Sequence, residues 1–121
     1  MSRHEDSVSL RQMLDHIEEV IALARGRQRV DLDSDRLFYL AVLKLVEIVG
    51  EASTRVSEPF RISHPEVPWR EIVGTRNRLI HGYDAVDRDI LWTIAIDDFP
   101  ALAARIKSML SRIHADRGGR S

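Results

Sequence analysis

Between Gly74 and Tyr83 the chain reads Gly-Thr-Arg-Asn-Arg-Leu-Ile-His-Gly-Tyr, so Arg76, Asn77, His81 and Tyr83 fall within about two helical turns. A guanidinium keeps its charge at any ordinary pH and presents a planar fork to phosphate oxygens. An imidazole exchanges protons near neutrality, and a phenol is both a hydrogen-bonding group and a modifiable hydroxyl. Gathered together, these groups suit phosphate chemistry. An ideal helix of about 100° per residue sends Arg76 through the middle of the apolar face formed by Trp69, Ile72, Val73, Leu79 and Ile80, with Tyr83 close to it. A guanidinium among apolar neighbours must find a carboxylate, a phosphate or water. Either it makes a buried salt bridge to Glu47 or Glu51, or it forms an anion site; both hold if the carboxylate only positions the arginine. Asn77 and His81 share another side of the same ideal helix, roughly 100–140° from Arg76. Two devices can bring them together: a left-handed cap at Gly82 that ends the helix, or a symmetry mate that lends its own Arg76 and His81 across a two-fold axis.

The elements that must position these residues read as helices. Leu10, Met13, Leu14, Ile17, Val20, Ile21 and Ala24 recur at helical spacing, which predicts a first helix over about 7–25, capped by Ser7 or Ser9 and ended by Gly26. Arg25, Arg27 and Arg29 crowd the connection that follows, either as a solvated loop or as a phosphate contact. Asp33 or Ser34 is expected to cap a second helix reaching about Ser57. Its stretch Leu37 to Leu43 is apolar on nearly every side and so calls for two covers, the bundle and a second copy of the chain. Lys44, Glu47, Glu51 and Arg55 step along it as a polar seam, and Gly50 lets another backbone come near Glu51. Pro59, Pro65 and Pro68 predict a linking loop over 58–68, with His64 incidental in it. Pro68 and Trp69 open a third helix, Asp87 starts a fourth, and Asp97 or Asp98 with Pro100 opens a last one carrying Leu102, Ile106, Met109, Leu110 and Ile113. The expected fold is all-α, an antiparallel bundle of four to five helices dimerising through helix faces. One domain over 1–115 with a flexible tail at 116–121 fits a chain of 121 residues.

Composition narrows the chemistry. With no cysteine there are no disulfides, thiolate nucleophiles or cysteine metal sites. A net charge of −1 excludes a broadly basic protein, so nucleic-acid contacts must come from a local patch. Positive charge is almost all arginine, since Lys44 and Lys107 are the only lysines. The polar start and the lack of a long apolar run make the cytoplasm the expected location. No histidine pair at zinc-binding spacing and no glycine-rich phosphate loop stand in the sequence.

At Arg76-Asn77-Arg78-Leu79-Ile80-His81-Gly82-Tyr83 the sequence resembles the HepT-like proteins of the HEPN superfamily, the toxin half of bacterial toxin–antitoxin pairs, with their Arg-x4-His-x-Tyr signature. The likeness extends to Leu45 to Ala52, to Val67 to Ile72 and to Val86 to Trp92. It implies a helical bundle whose dimer brings two motifs to a shared cleft, and a metal-independent endoribonuclease with no cofactor. Arg76 and His81 would be catalytic, with Asn77 and Glu51 in support. Tyr83 would receive AMP from a partner nucleotidyltransferase antitoxin of the MntA kind. Two readings compete with the nuclease: a non-catalytic helical adaptor that docks the nucleotidyltransferase or binds a nucleotide, and a motif that only cements the dimer.

Overall fold

Leu10, Met13, Ile17 and Val20 recur every three or four residues, and all four are fully buried along one stripe of a single helix, α1 (Arg3–Ala24). That stripe packs along both α3 (Arg36–Ser53) and α8 (Phe99–Gly118), which supply Val42, Val46 and Val49 on one side and Ile106 and Met109 on the other. Each such side chain contributes roughly 1.5–3 kcal/mol on leaving water, so this seam carries the bundle. The computed structural model describes residues 3–81 and 85–118. The architecture is an all-α helical bundle. Shorter pieces complete it: α2 (Asp31–Ser34), α4 (Glu58–Ser63), α5 (Trp69–Val73), α6 (Thr75–Leu79) and α7 (Arg88–Thr93). A two-stranded antiparallel hairpin of β1 (Ile80–His81) and β2 (Ala85–Val86) sits between α6 and α7. Among the described residues no helix is long and apolar enough to cross a membrane.

Several boundaries differ from the sequence expectation, each for a local reason. Helix α1 starts at Arg3, so Ser7 and Ser9 lie inside it; the Ser7 hydroxyl donates back to the His4 carbonyl at 2.7 Å. Glu5 and Asp6 in its first turn suit the positive end of the helix dipole. Asp6 is also buried, and its carboxylate accepts from the Ser57 amide and hydroxyl, both at 2.7 Å, tying the start of the chain to the entry of α4. Gly26, at φ 76°, takes the left-handed conformation that turns the chain out of α1, as its type suggested.

Asp33 and Ser34 are part of α2, and the cap of α3 is Asp35, whose carboxylate accepts from the Phe38 amide at 3.1 Å. That amide first, and Arg27 second, hold the Asp35 carboxyl below its ordinary value. Its contribution is therefore present above the ordinary carboxylate range and is lost as pH falls through the lowered value. Of the three arginines after α1, Arg27 and Arg29 serve the fold, while Arg25 is exposed. Arg27 pairs with Asp35 at 3.1 Å and lies 4.4 Å above the Phe38 ring. Arg29 joins Asp89 at 2.7 Å and Asp33 at 3.0 Å, linking α2 to α7.

Helix α3 ends at Ser53, four residues before the expected Ser57, which instead caps α4. The expected loop over 58–68 thus contains a helix, because Pro59 falls in its first turn where no amide partner is lost. His64 is not incidental: its ring stacks on Phe60 with centroids 4.1 Å apart, and its carbonyl accepts from the Trp69 indole at 3.0 Å. Asp87 caps α7 as expected, accepting from the Asp89 and Ile90 amides, both at 3.0 Å. Asp97 and Asp98 cap nothing, since α7 runs through a π-helical turn (Ile94–Asp98) into α8. The Phe99 amide bonds to the Ile94 carbonyl across this wide turn, directly before Pro100, whose ring would strain a regular helix.

Candidate active site

Helix α3 has two different sides. Phe38, Tyr39, Val42, Val46 and Val49 face the core, while Lys44, Glu47 and Glu51 are exposed in the seam their spacing suggested, and Arg55, also exposed, lies in the turn just past the helix. Leu37, 81% exposed, and Leu40 continue this outer side, so one chain alone leaves part of the apolar surface of the helix uncovered. Gly50 lies where α5 and α6 cross. A Cβ built on it would stand 3.3 Å from the Ile72 carbonyl oxygen and 3.4 Å from the Thr75 Cβ. The close approach that Gly50 permits is thus used by the segment carrying Arg76. Gly50→Val is expected to force α5 and α6 outward and lower stability by about 1–3 kcal/mol, measured by chemical denaturation, with Gly50→Ala affected less.

Helices α5 and α6 meet at Gly74. Trp69, Ile72, Thr75 and Leu79 are the buried positions of this segment. Thr75 therefore occupies the place expected for Arg76. Its hydroxyl is satisfied internally by the Ile72 carbonyl at 2.6 Å, and its small side chain fits beside Gly50. Arg76, one residue on, is exposed and not among apolar neighbours. The buried salt bridge to Glu47 or Glu51 is not formed: among the described residues no carboxylate stands within ion-pair distance of Arg76. Instead Arg76 lines a groove of about 220 Å³ together with Lys44, Glu47, Gly50, Glu51 and Thr75. Arg78 is held differently, 3.6 Å from Asp98 on the π-helical turn.

After Leu79 the helix gives way to extended backbone, with Ile80 at φ −95° and ψ 118°. Ile80 pairs with Val86 and His81 with Ala85, and the Asp87 amide donates to the Leu79 carbonyl at 2.7 Å. His81 is therefore on a strand and not on the helical face shared with Asn77, as the ideal helix required. Of His81 the structure describes the backbone, and Gly82 and Tyr83 lie outside the described residues. Asn77 is exposed and lines a second, open groove with Arg61, Ile62, Arg70, Val73 and Gly74. Val73 borders both grooves. Sequence reasoning missed Thr75 as the residue that seats the segment; the available signal was a small pair, Gly50 and Thr75, on two helices that must cross.

The arrangement offers an exposed guanidinium on a short helix, five residues before an imidazole-bearing strand, beside two carboxylates that limit where an anion can approach. A sequence model of the family described as "Ribonuclease HepT-like" matches residues 13–109, which include the whole motif. The Methanocaldococcus jannaschii protein named "Putative RNase MJ1380" is 33% identical over 88% of this chain and 98% of its own length. The Thermococcus cleftensis protein named "Probable ribonuclease HepT" is 35% identical over 84% of this chain and 96% of its own. A Caldanaerobacter subterraneus protein named "Putative RNase TTE0752" is 33% identical over 85% of this chain and 92% of its own. No solved structure gave a significant match.

Proposed function

Because this chain belongs to the HepT-like ribonuclease family, we propose that it is a metal-independent endoribonuclease whose reaction runs through Arg76 and His81. The observation that supports this reading most is the position of Arg76, exposed at a groove and without an ion pair among the described residues. A guanidinium left in that state is available to a substrate oxyanion. The 2′-hydroxyl of the RNA attacks the adjacent phosphorus and loses its proton. The bond from phosphorus to the 5′-oxygen then breaks, and that oxygen takes up a proton. The products are a 2′,3′-cyclic phosphate and a free 5′-hydroxyl. His81 exchanges protons with the attacking or the leaving oxygen, and Arg76 holds the charge that builds on phosphorus. Asn77 orients the substrate phosphate or the imidazole, and Glu51, which shares the groove with Arg76, limits where the guanidinium can swing.

The working unit in this reading is a dimer with both motifs at one cleft. Leu37 and Leu40, apolar and exposed on α3, suit burial against a second copy. Control comes from a partner nucleotidyltransferase antitoxin, the chain being the toxin of the pair. The Tyr83 phenol oxygen attacks the α-phosphorus of ATP, pyrophosphate leaves, and the AMP left on Tyr83 brings charge and bulk to the place where the substrate phosphate has to sit.

The reading is tested by incubating the purified protein with RNA in the presence of a chelator. Fragments ending in cyclic phosphate are expected; an inert protein that still binds the nucleotidyltransferase would favour the adaptor. A separate result is expected for Tyr83→Phe, which should keep RNA cleavage but escape neutralisation on co-expression with the antitoxin. Mass spectrometry checks it: AMP on another residue, or on the Phe variant, would refute the assignment.

A further inference from the structure

The two grooves that meet at Val73 differ in charge. The one holding Arg76 balances Lys44 and Arg76 against Glu47 and Glu51, whereas the one beyond Val73 sets Arg61 and Arg70 against Glu58 alone. Neither Arg61 nor Arg70 has a carboxylate within ion-pair distance among the described residues. Arg61 is half-buried in the wall of this groove and Arg70 is exposed beside it. Ile62, 69% exposed, stands on the wall of this groove, whose volume is about 620 Å³, and Asn77 of the motif also lines it.

We propose that the groove between α4 and α5 is the subsite for the RNA backbone beside the cleaved phosphate, with Arg61 and Arg70 gripping a flanking phosphate and Ile62 and Val73 receiving an unstacked base. This rests on the nuclease reading and extends it to the substrate class, which is single-stranded RNA. A duplex keeps its bases stacked and offers no free face to an aliphatic wall. The flanking phosphate is placed on this side because the groove carries two arginines against one carboxylate, whereas the charges along α3 cancel.

The test is binding of a labelled single-stranded oligoribonucleotide to His81→Ala protein at several salt concentrations. Adding Arg70→Glu and Arg61→Gln should weaken binding at least tenfold and flatten the logarithmic salt slope by about 0.7 for each phosphate no longer gripped. Arg70→Lys should restore most of the affinity, and Arg112→Ala, on α8, should change nothing. If Arg61→Gln does not fold, Arg70→Glu carries the test alone, because that side chain is exposed. Unchanged binding overturns the proposal, as does no binding by the His81→Ala parent. Weaker binding accompanied by a fall in oligomeric mass also overturns it, since the groove is then an interface between copies. The two readings fail separately. If His81-intact protein cuts RNA while the arginine variants bind as before, the subsite is wrong and the nuclease stands. If it cuts nothing but binding still depends on both arginines, the groove binds RNA but not beside a cleaved phosphate, and it is the nuclease reading that falls.

Discussion

Arg76→Ala is expected to slow RNA cleavage about 100- to 1,000-fold and His81→Ala about 100- to 10,000-fold, with the helical content and unfolding midpoint of the Arg76→Ala protein unchanged. The two halves of that expectation have different grounds. The slower rate follows from the chemistry, because an uncompensated phosphorane charge and a missing proton carrier each remove an interaction made mainly in the transition state. The unchanged stability follows from geometry, since Arg76 is exposed and makes no ion pair among the described residues, so removing it breaks nothing in the bundle. Residues acting as a unit are not additive, and the double variant should be little slower than the worse single one. Single-turnover kinetics with circular dichroism on the same samples check both halves. Should the rate hold in both variants, or should it fall only together with the unfolding midpoint, the motif is structural and the catalytic assignment is lost.

Ile17→Ala is expected to cost about 2–5 kcal/mol, the largest effect on stability of any substitution considered. Ile17 is 0% exposed on α1, the helix that packs against both α3 and α8, so a cavity there faces two partners and cannot close by the movement of one. Leu37→Ala is the contrast. The residue is just as apolar but 81% exposed, and in an isolated chain its truncation should stay within about 0.5 kcal/mol. Urea denaturation at two protein concentrations measures both. A concentration-dependent destabilisation at Leu37 would mark the surface as one that a second copy buries, whereas a small effect at Ile17 would mean that the three-helix seam is not what holds the bundle.

Stripes of apolar residues at helical spacing were enough to locate α1 and α8 and to name the core side of each, and the apolar run with its polar seam located α3, since burial of such surface is the main driving force and tolerates small errors of boundary. Boundaries fared less well because caps compete. Asp33, Ser34 and Asp35 are all good N-caps by type, and only the chain entering from α2 selects Asp35. Prolines mislead in a similar way. Pro59 by type denies regular structure, yet it sits harmlessly in the first turn of α4; Pro100 by type opens a new helix, yet it follows a π-helical turn that makes room for it in a continuous one.

The sequence by itself determined an all-α chain, the family, and the order of the reactive groups, with Arg76, Asn77, His81 and Tyr83 inside one ten-residue segment. These are local facts, written in residue type and spacing. Only the tertiary structure decided that Thr75 and not Arg76 enters the core, that backbone after Leu79 is extended, and that Arg76 and Asn77 open onto two grooves meeting at Val73. An ideal helix drawn from 69 to 81 cannot report this, because the packing of Thr75 against Gly50 and the pairing of Ile80 with Val86 are contacts between residues distant in the chain or across a turn. Their energies, and not the local helical preference, set the direction in which each reactive side chain leaves the backbone.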